Sequence, residues 1–181
     1  MYLTLGITLP ESIRAPLAEL QHSFWTEYWE PVSFLMLPLC IIGTLPSRQA
    51  AAELDHALST LPITPDMPLE PEHFDVFSRN ETISLEVRVR SAQLRHLSLK
   101  TDTLLKRIGI KPVRPATPLT IPFCKVSQVA PEDISAWMQL HHAFRLPATT
   151  VSTLTLFSSW KTEQTVHYTE EESYPTQLHA S

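Results

Sequence analysis

With 181 residues, 43% of them apolar, the chain is long enough to bury a sizeable core in one unit spanning residues 1–181. Its net charge of −5 provides no global attraction to nucleic acid or to an anionic membrane, and two cysteines, Cys40 and Cys124, make no disulfide framework. The longest apolar run is about half of the ~20 residues a membrane helix needs. "MYLTLGITLPES" lacks the basic and apolar regions of a signal peptide, so a soluble protein in the reduced cytoplasm is expected.

In chain order, "YLTLGITL" reads as a short strand. "PESIRAPLAELQHSFW" follows as a helix, with Ile13, Leu17, Leu20 and Phe24 at helical spacing. Pro16 is expected close to its start, where a missing N–H is tolerated. "FLMLPLCIIGTLP", from Phe34 to Pro46, reads as a buried strand closed by a Gly turn. Pro38 is out of place in it, because proline cannot donate to a sheet ladder and is normally confined to edges, strand starts or bulges. "SRQAAAELDHALSTL" is a second amphipathic helix, capped by Ser47, with Leu54, Ala57, Leu58 and Leu61 on one stripe.

"PITPDMPLEPEHF" holds four prolines in thirteen residues and reads as an extended crossing loop. "ETISLEVRVR" alternates as a strand should, with Ile83, Leu85, Val87 and Val89 on one face. Ser84, Glu86, Arg88 and Arg90 lie on the other, which reads as solvated. In "SAQLRHLSLKTDTLLKRIG", Leu94, Leu97, Leu104 and Ile108 mark the core side of a helix, and Gly109 suits its C-terminal cap. After the proline-punctuated "IKPVRPATP" come a strand, "LTIPFCKVSQV", and a helix, "APEDISAWMQLHHAF". "ATTVSTLTLFSSW" and "QTVHYTEE" close the chain as a strand pair. The order roughly doubles, which implies an α+β fold with two similar lobes.

Motifs for other chemistries are missing. Three glycines leave no Gly-rich phosphate loop, and no "G-x-S-x-G", "C-x-x-C" or "H-E-x-x-H" occurs. His22, His56, His96, His141 and His142 fall on helices as surface residues, and His167 lies on the last strand. Eight of the fourteen Lys and Arg residues fall between Arg88 and Arg114, a possible basic edge or a solvated face balanced by acids. Two thiols without nearby His or Asp ligands make a poor metal site, so no metal and no cofactor are expected.

Four segments resemble, in order and spacing, the LigT-like RNA 2′,3′-cyclic phosphodiesterases of the two-histidine phosphoesterase superfamily. They are "LGITLPESIRAPLAELQ", "WEPVSFLMLPLCIIGTLP", "KPVRPATPLTIPFCKVSQ" and "VSTLTLFSSWKTEQTVHYTEE". The resemblance implies a bilobal α+β fold, with two antiparallel sheets flanking a central cleft and helices outside. It also implies two His-x-Thr/Ser-x motifs facing each other, one histidine acting as base and the other as acid. With Trp29 and the "IIG" ending setting the register, the first histidine position falls on Met36 and its threonine on Pro38. The second histidine position falls on Pro118, with Thr120 kept.

By strand parity, Met36, Pro38 and Cys40 are expected to line the cleft from one side, and Pro118, Thr120, Pro122 and Cys124 from the other. Neither methionine nor proline exchanges protons, so the resemblance implies a degenerate member, a pseudoenzyme that acts by binding. Its ligand would be a partner protein, a nucleotide or an RNA end, with no membrane involved. The alternatives are an active RNA 2′,3′-cyclic phosphodiesterase using other residues, and a structural subunit of a larger assembly.

Overall fold

In the computed structural model, which describes residues 1–79, 81–115 and 118–175, ten strands form two five-stranded sheets, accompanied by four α-helices. The first sheet runs β10 (Val166–Tyr174), β9 (Leu154–Lys161), β1 (Tyr2–Thr8), β3 (Met36–Thr44), β6 (Arg114–Pro115). The second runs β2 (Trp29–Pro31), β7 (Thr120–Val126), β5 (Thr82–Arg90), β4 (Met67–Arg79), β8 (Thr149–Val151). All pairings are antiparallel. The helices are α1 (Glu11–Leu20), α2 (Arg48–Leu58), α3 (Ala92–Arg107) and α4 (Pro131–Leu140). Ala116 and Thr117 of the proline-punctuated segment, and His179, lie outside the described residues.

The doubling expected from the sequence is present and goes further than element order. The run β1–α1–β2–β3–α2 is repeated as β5–α3–β6–β7–α4. The two halves exchange short strands. β2 leads into β3 of the first sheet but pairs with β7 of the second, while β6 leads into β7 but pairs with β3. The orders β9-β1-β3-β6 and β4-β5-β7-β2 therefore match strand for strand.

Local chemistry explains most boundaries. Ser47 accepts from the Ala50 N–H at 3.1 Å, and Ser91 from the Leu94 N–H at 3.2 Å, capping α2 and α3. Gly109, at φ 79°, makes the left-handed turn that ends α3. Pro16 sits in the body of α1 rather than near its start, so the Ser12 carbonyl loses its helical donor. The helix tightens into a 3-10 turn at Gln21–Ser23, which sends Phe24 into an aromatic cluster with Trp29, Phe123 and Trp137.

The second part of the segment rich in proline, from Met67 on, is a strand rather than a loop. Pro68 lies at the start of β4, and Pro71 stands beside a bulge before Phe74, both places where a missing donor is tolerated. The polar face of β5 is solvated only at its end: Ser84 and Glu86 are buried, Arg88 is half-buried and Arg90 is exposed. No helix among the described residues is long and apolar enough to cross a membrane.

Candidate functional site: a cleft built twice

The internal repeat extends to single residues. Along β1 and β3, Leu5 faces Cys40, Gly6 faces Pro38, Ile7 faces Leu37 and Thr8 faces Met36. Along β5 and β7, Leu85 faces Cys124, Glu86 faces Pro122, Val87 faces Ile121 and Arg88 faces Thr120. Each pairing skips one residue, Leu39 in β3 and Phe123 in β7, at a β-bulge. The two skipped carbonyls are served by the opposite halves. Ser98 of α3 donates to the Leu39 carbonyl at 3.3 Å, and Gln21, just after α1, donates to the Phe123 carbonyl at 2.9 Å.

Pro38 is thus explained: it flanks a bulge in β3, as Pro122 does in β7. The equivalences set one register for both halves. Met36 corresponds to Thr120, Pro38 to Pro122 and Gly6 to Glu86. Pro118 precedes β7 and corresponds to Phe34.

The bulges correct the expected placement of the thiols. Parity puts Cys40 with Pro38 and Cys124 with Pro122, but the extra residue turns each cysteine to the opposite face. Cys40 lies beside Leu5 and within reach of Asp102 on α3, and Cys124 lies beside Leu85. Both are buried and unpaired. Burial, with Asp102 near Cys40 and Glu30 near Cys124, pushes each thiol up to about 12. Neither belongs to the cleft.

The two halves of the cleft differ in chemistry. In the first, Met36 is buried and its terminal methyl lies over Gly6, where any Cβ would intrude. In the second, Glu86 is 1% exposed and Thr120 4%. Glu86 accepts a two-pronged contact from Arg79, Nε to Oε2 at 3.1 Å and Nη2 to Oε1 at 3.0 Å. The Thr120 hydroxyl donates to the same carboxylate. Burial raises the Glu86 pKa, but Arg79, Ser84 and Thr120 more than offset it, and the carboxyl sits below its ordinary value.

Arg114 reaches this group from the other sheet. It stands on β6 opposite Ile41, close enough for the charges of Arg79 and Glu86 to act on it. Burial first, then Arg79, push its guanidinium down, and it makes no side-chain hydrogen bond among the described residues. The neighbouring cations are paired: Arg88 with Asp75 at 2.5 Å and Arg90 with Glu70 at 2.6 Å. Phe77 underlies the patch, its ring 4.7 Å from the Arg79 guanidinium and 5.8 Å from that of Arg88.

The histidines stand elsewhere. His141 stacks on Trp137, His167 stacks on Trp160, and His22 pairs weakly with Glu19. His73, on β4, is exposed near Asp75. Among the described residues no group of three or more His, Cys, Asp and Glu side chains is arranged to hold a metal.

Arg79, Glu86 and Arg114 were not singled out by the sequence reading. Arg79 and Glu86 carry no sequence signal of their own, but Arg114 and Thr120 fall in an ungapped internal repeat, "EPVSFLMLPLC" (30–40) against "RPATPLTIPFC" (114–124). Pro31/Pro115, Leu35/Leu119, Pro38/Pro122 and Cys40/Cys124 are identical in it. That alignment places Thr120 opposite Met36 without any structure.

A two-lobed chain with exchanged strands around one cleft is the architecture of a phosphoesterase fold, and solved structures name it. E. coli LigT in apo form is 21% identical with a TM-score of 0.73, over 97% of this chain and 98% of that one. A structure described as a phosphoesterase is 18% identical with a TM-score of 0.74, over 97% and 98%. A Thermus thermophilus protein is 20% identical with a TM-score of 0.68, over 98% and 100%. The chain has the LigT-like α+β fold. No family model matches it, and no curated protein is significantly similar to it in sequence.

Proposed function

We propose that the chain binds the phosphorylated end of a nucleotide or an RNA in this cleft and does not turn it over. The observation that carries this reading is the approach of Arg79 and Arg114, from opposite sheets, to the buried Glu86 carboxylate, which also accepts from the Thr120 hydroxyl. Guanidinium forks and hydroxyls are the groups that hold phosphate oxygens. E. coli LigT, of the same fold, has been solved in complex with 3′-AMP and with phosphate.

The loss of turnover follows from the repeat. Met36 and Thr120 occupy equivalent places, and we assign them to the two histidine positions, with Pro38 and Pro122 at the hydroxyl positions. A thioether accepts no proton at neutral pH, and the Thr120 hydroxyl is already committed to Glu86. Each lost acid or base forfeits about 10²–10⁴ in rate. Two free buried thiols fit a reducing, cytoplasmic setting.

Isothermal titration with adenosine 3′-phosphate tests the binding half of this reading. Saturable one-to-one binding is expected, and Arg114→Met should weaken it about tenfold or more, the worth of a charge-assisted contact. Absence of saturable binding, or binding indifferent to Arg114, would remove the cleft as the site.

A further inference from the structure

We infer that Glu86 is a resident anion seated where a ligand's phosphate would otherwise sit, so that the cleft admits a terminal phosphomonoester and discriminates against cyclic phosphates and diesters. The inference rests on the cleft reading above and adds the chemical class of the ligand.

Three observations lead to it. First, the donors around Glu86 are those of an anion seat: a two-pronged Arg79 and the Thr120 hydroxyl, closing on a carboxylate that is 1% exposed. Second, the fold itself does not call for an acid there. The equivalent residue of the other half is Gly6, which has no side chain at all. Third, the charges do not balance. Arg79 pairs with Glu86, while Arg114 stands near enough for both charges to act on it and has neither an ion pair nor a hydrogen bond of its own among the described residues.

Competition with Glu86 then sets the selectivity. A cyclic phosphate or a diester carries one negative charge, the same as the carboxylate. Displacing Glu86 would exchange one anion for an equal one and strand a carboxylate, with nothing gained at Arg79. A terminal phosphomonoester carries about −1.5 to −2 at pH 7 and offers three unesterified oxygens. It has oxygens enough for the Arg79 fork and for Arg114, which has no partner among the described residues, together. Two guanidiniums from two sheets match a dianion and are in excess for a monoanion.

The test is titration calorimetry of the full chain with adenosine 3′-phosphate and adenosine 2′,3′-cyclic phosphate. For the native protein the monoester should bind about tenfold tighter or more, as expected where one extra full charge meets a guanidinium. In Glu86→Gln, which keeps the shape and removes the resident charge, both esters should bind about tenfold tighter or more, because neither has to displace a carboxylate from the Arg79 fork. Arg114→Met should bring the ratio to within about threefold by weakening the monoester. It covers the case in which the Gln variant does not fold, because the Arg114 side chain makes no hydrogen bond among the described residues. If the native protein binds both esters equally, if Glu86→Gln leaves both affinities unchanged, or if Arg114→Met keeps the native ratio, the inference falls while the cleft reading stands. If neither ester binds, the cleft reading falls and takes the inference with it.

Discussion

Burial alone would push the Glu86 carboxyl toward its neutral form, yet the Arg79 fork, Ser84 and Thr120 hold it below the ordinary glutamate value. Unfolding releases it to about 4.3. A carboxyl whose folded pKa lies below its unfolded one stabilises the fold fully above the unfolded value, and that contribution disappears as pH falls through the folded value. At pH 7, Glu86→Gln should therefore be less stable than the native chain by about 1–3 kcal/mol, the cost of weakening a buried charge-assisted contact. Urea midpoints measured from pH 7 downward should show the gap shrinking once the pH passes below about 4.3. A gap that stays constant with pH would mean that Glu86 is not held as a paired carboxylate.

Between elements, the decisive features are the two bulges. They explain how prolines sit inside β3 and β7, and why counting alternate residues misplaced the cysteines. A parity argument carries one residue of error past every bulge, so Cys40 and Cys124, each beyond a bulge, fall on the face opposite to the one counted for them. Strands and helices with regular periodicity were legible in the sequence. β4 was not, because Pro68 and Pro71, with Pro62 and Pro65 just before it, outweighed its alternation, and the strand-start and bulge positions that make the first two tolerable are tertiary facts. Glu86 was invisible for a related reason, since a charged residue alternating with valines reads as solvent-facing until the opposite sheet covers it.

The same register makes Gly6 a packing requirement. A Cβ there would lie 2.8 Å from the Leu37 carbonyl oxygen and run into the Met36 side chain, whereas its counterpart Glu86 faces the shorter Thr120. Gly6→Ala should destabilise the chain by about 1–3 kcal/mol through overpacking against backbone that cannot move aside. Thermal denaturation of the single variant checks this. An unchanged midpoint would show that β1 and β3 are further apart than the close approach requires.

At the scale of the molecule, exchanged strands and exchanged helix contacts tie the halves into one frame around the cleft. β2 and β6 each complete the other half's sheet, and Gln21 and Ser98 each serve the other half's bulge. That frame is preserved while the residues at its centre have diverged, one half closed by Met36 over Gly6 and the other charged by Arg79, Glu86 and Arg114. A fold does not fix a reaction, and the proposal is that this cleft holds charge and moves no protons. The most direct measurement of this claim is phosphorus NMR of adenosine 2′,3′-cyclic phosphate incubated with the purified chain. The cyclic resonance should persist unchanged, because Met36 and Thr120, which we assign to the two proton-transfer positions, exchange no proton at neutral pH, and two such groups are worth roughly 10⁴–10⁸ in rate together. Steady conversion to a monoester that survives repurification, and is lost in Thr120→Val or Arg114→Met, would contradict it.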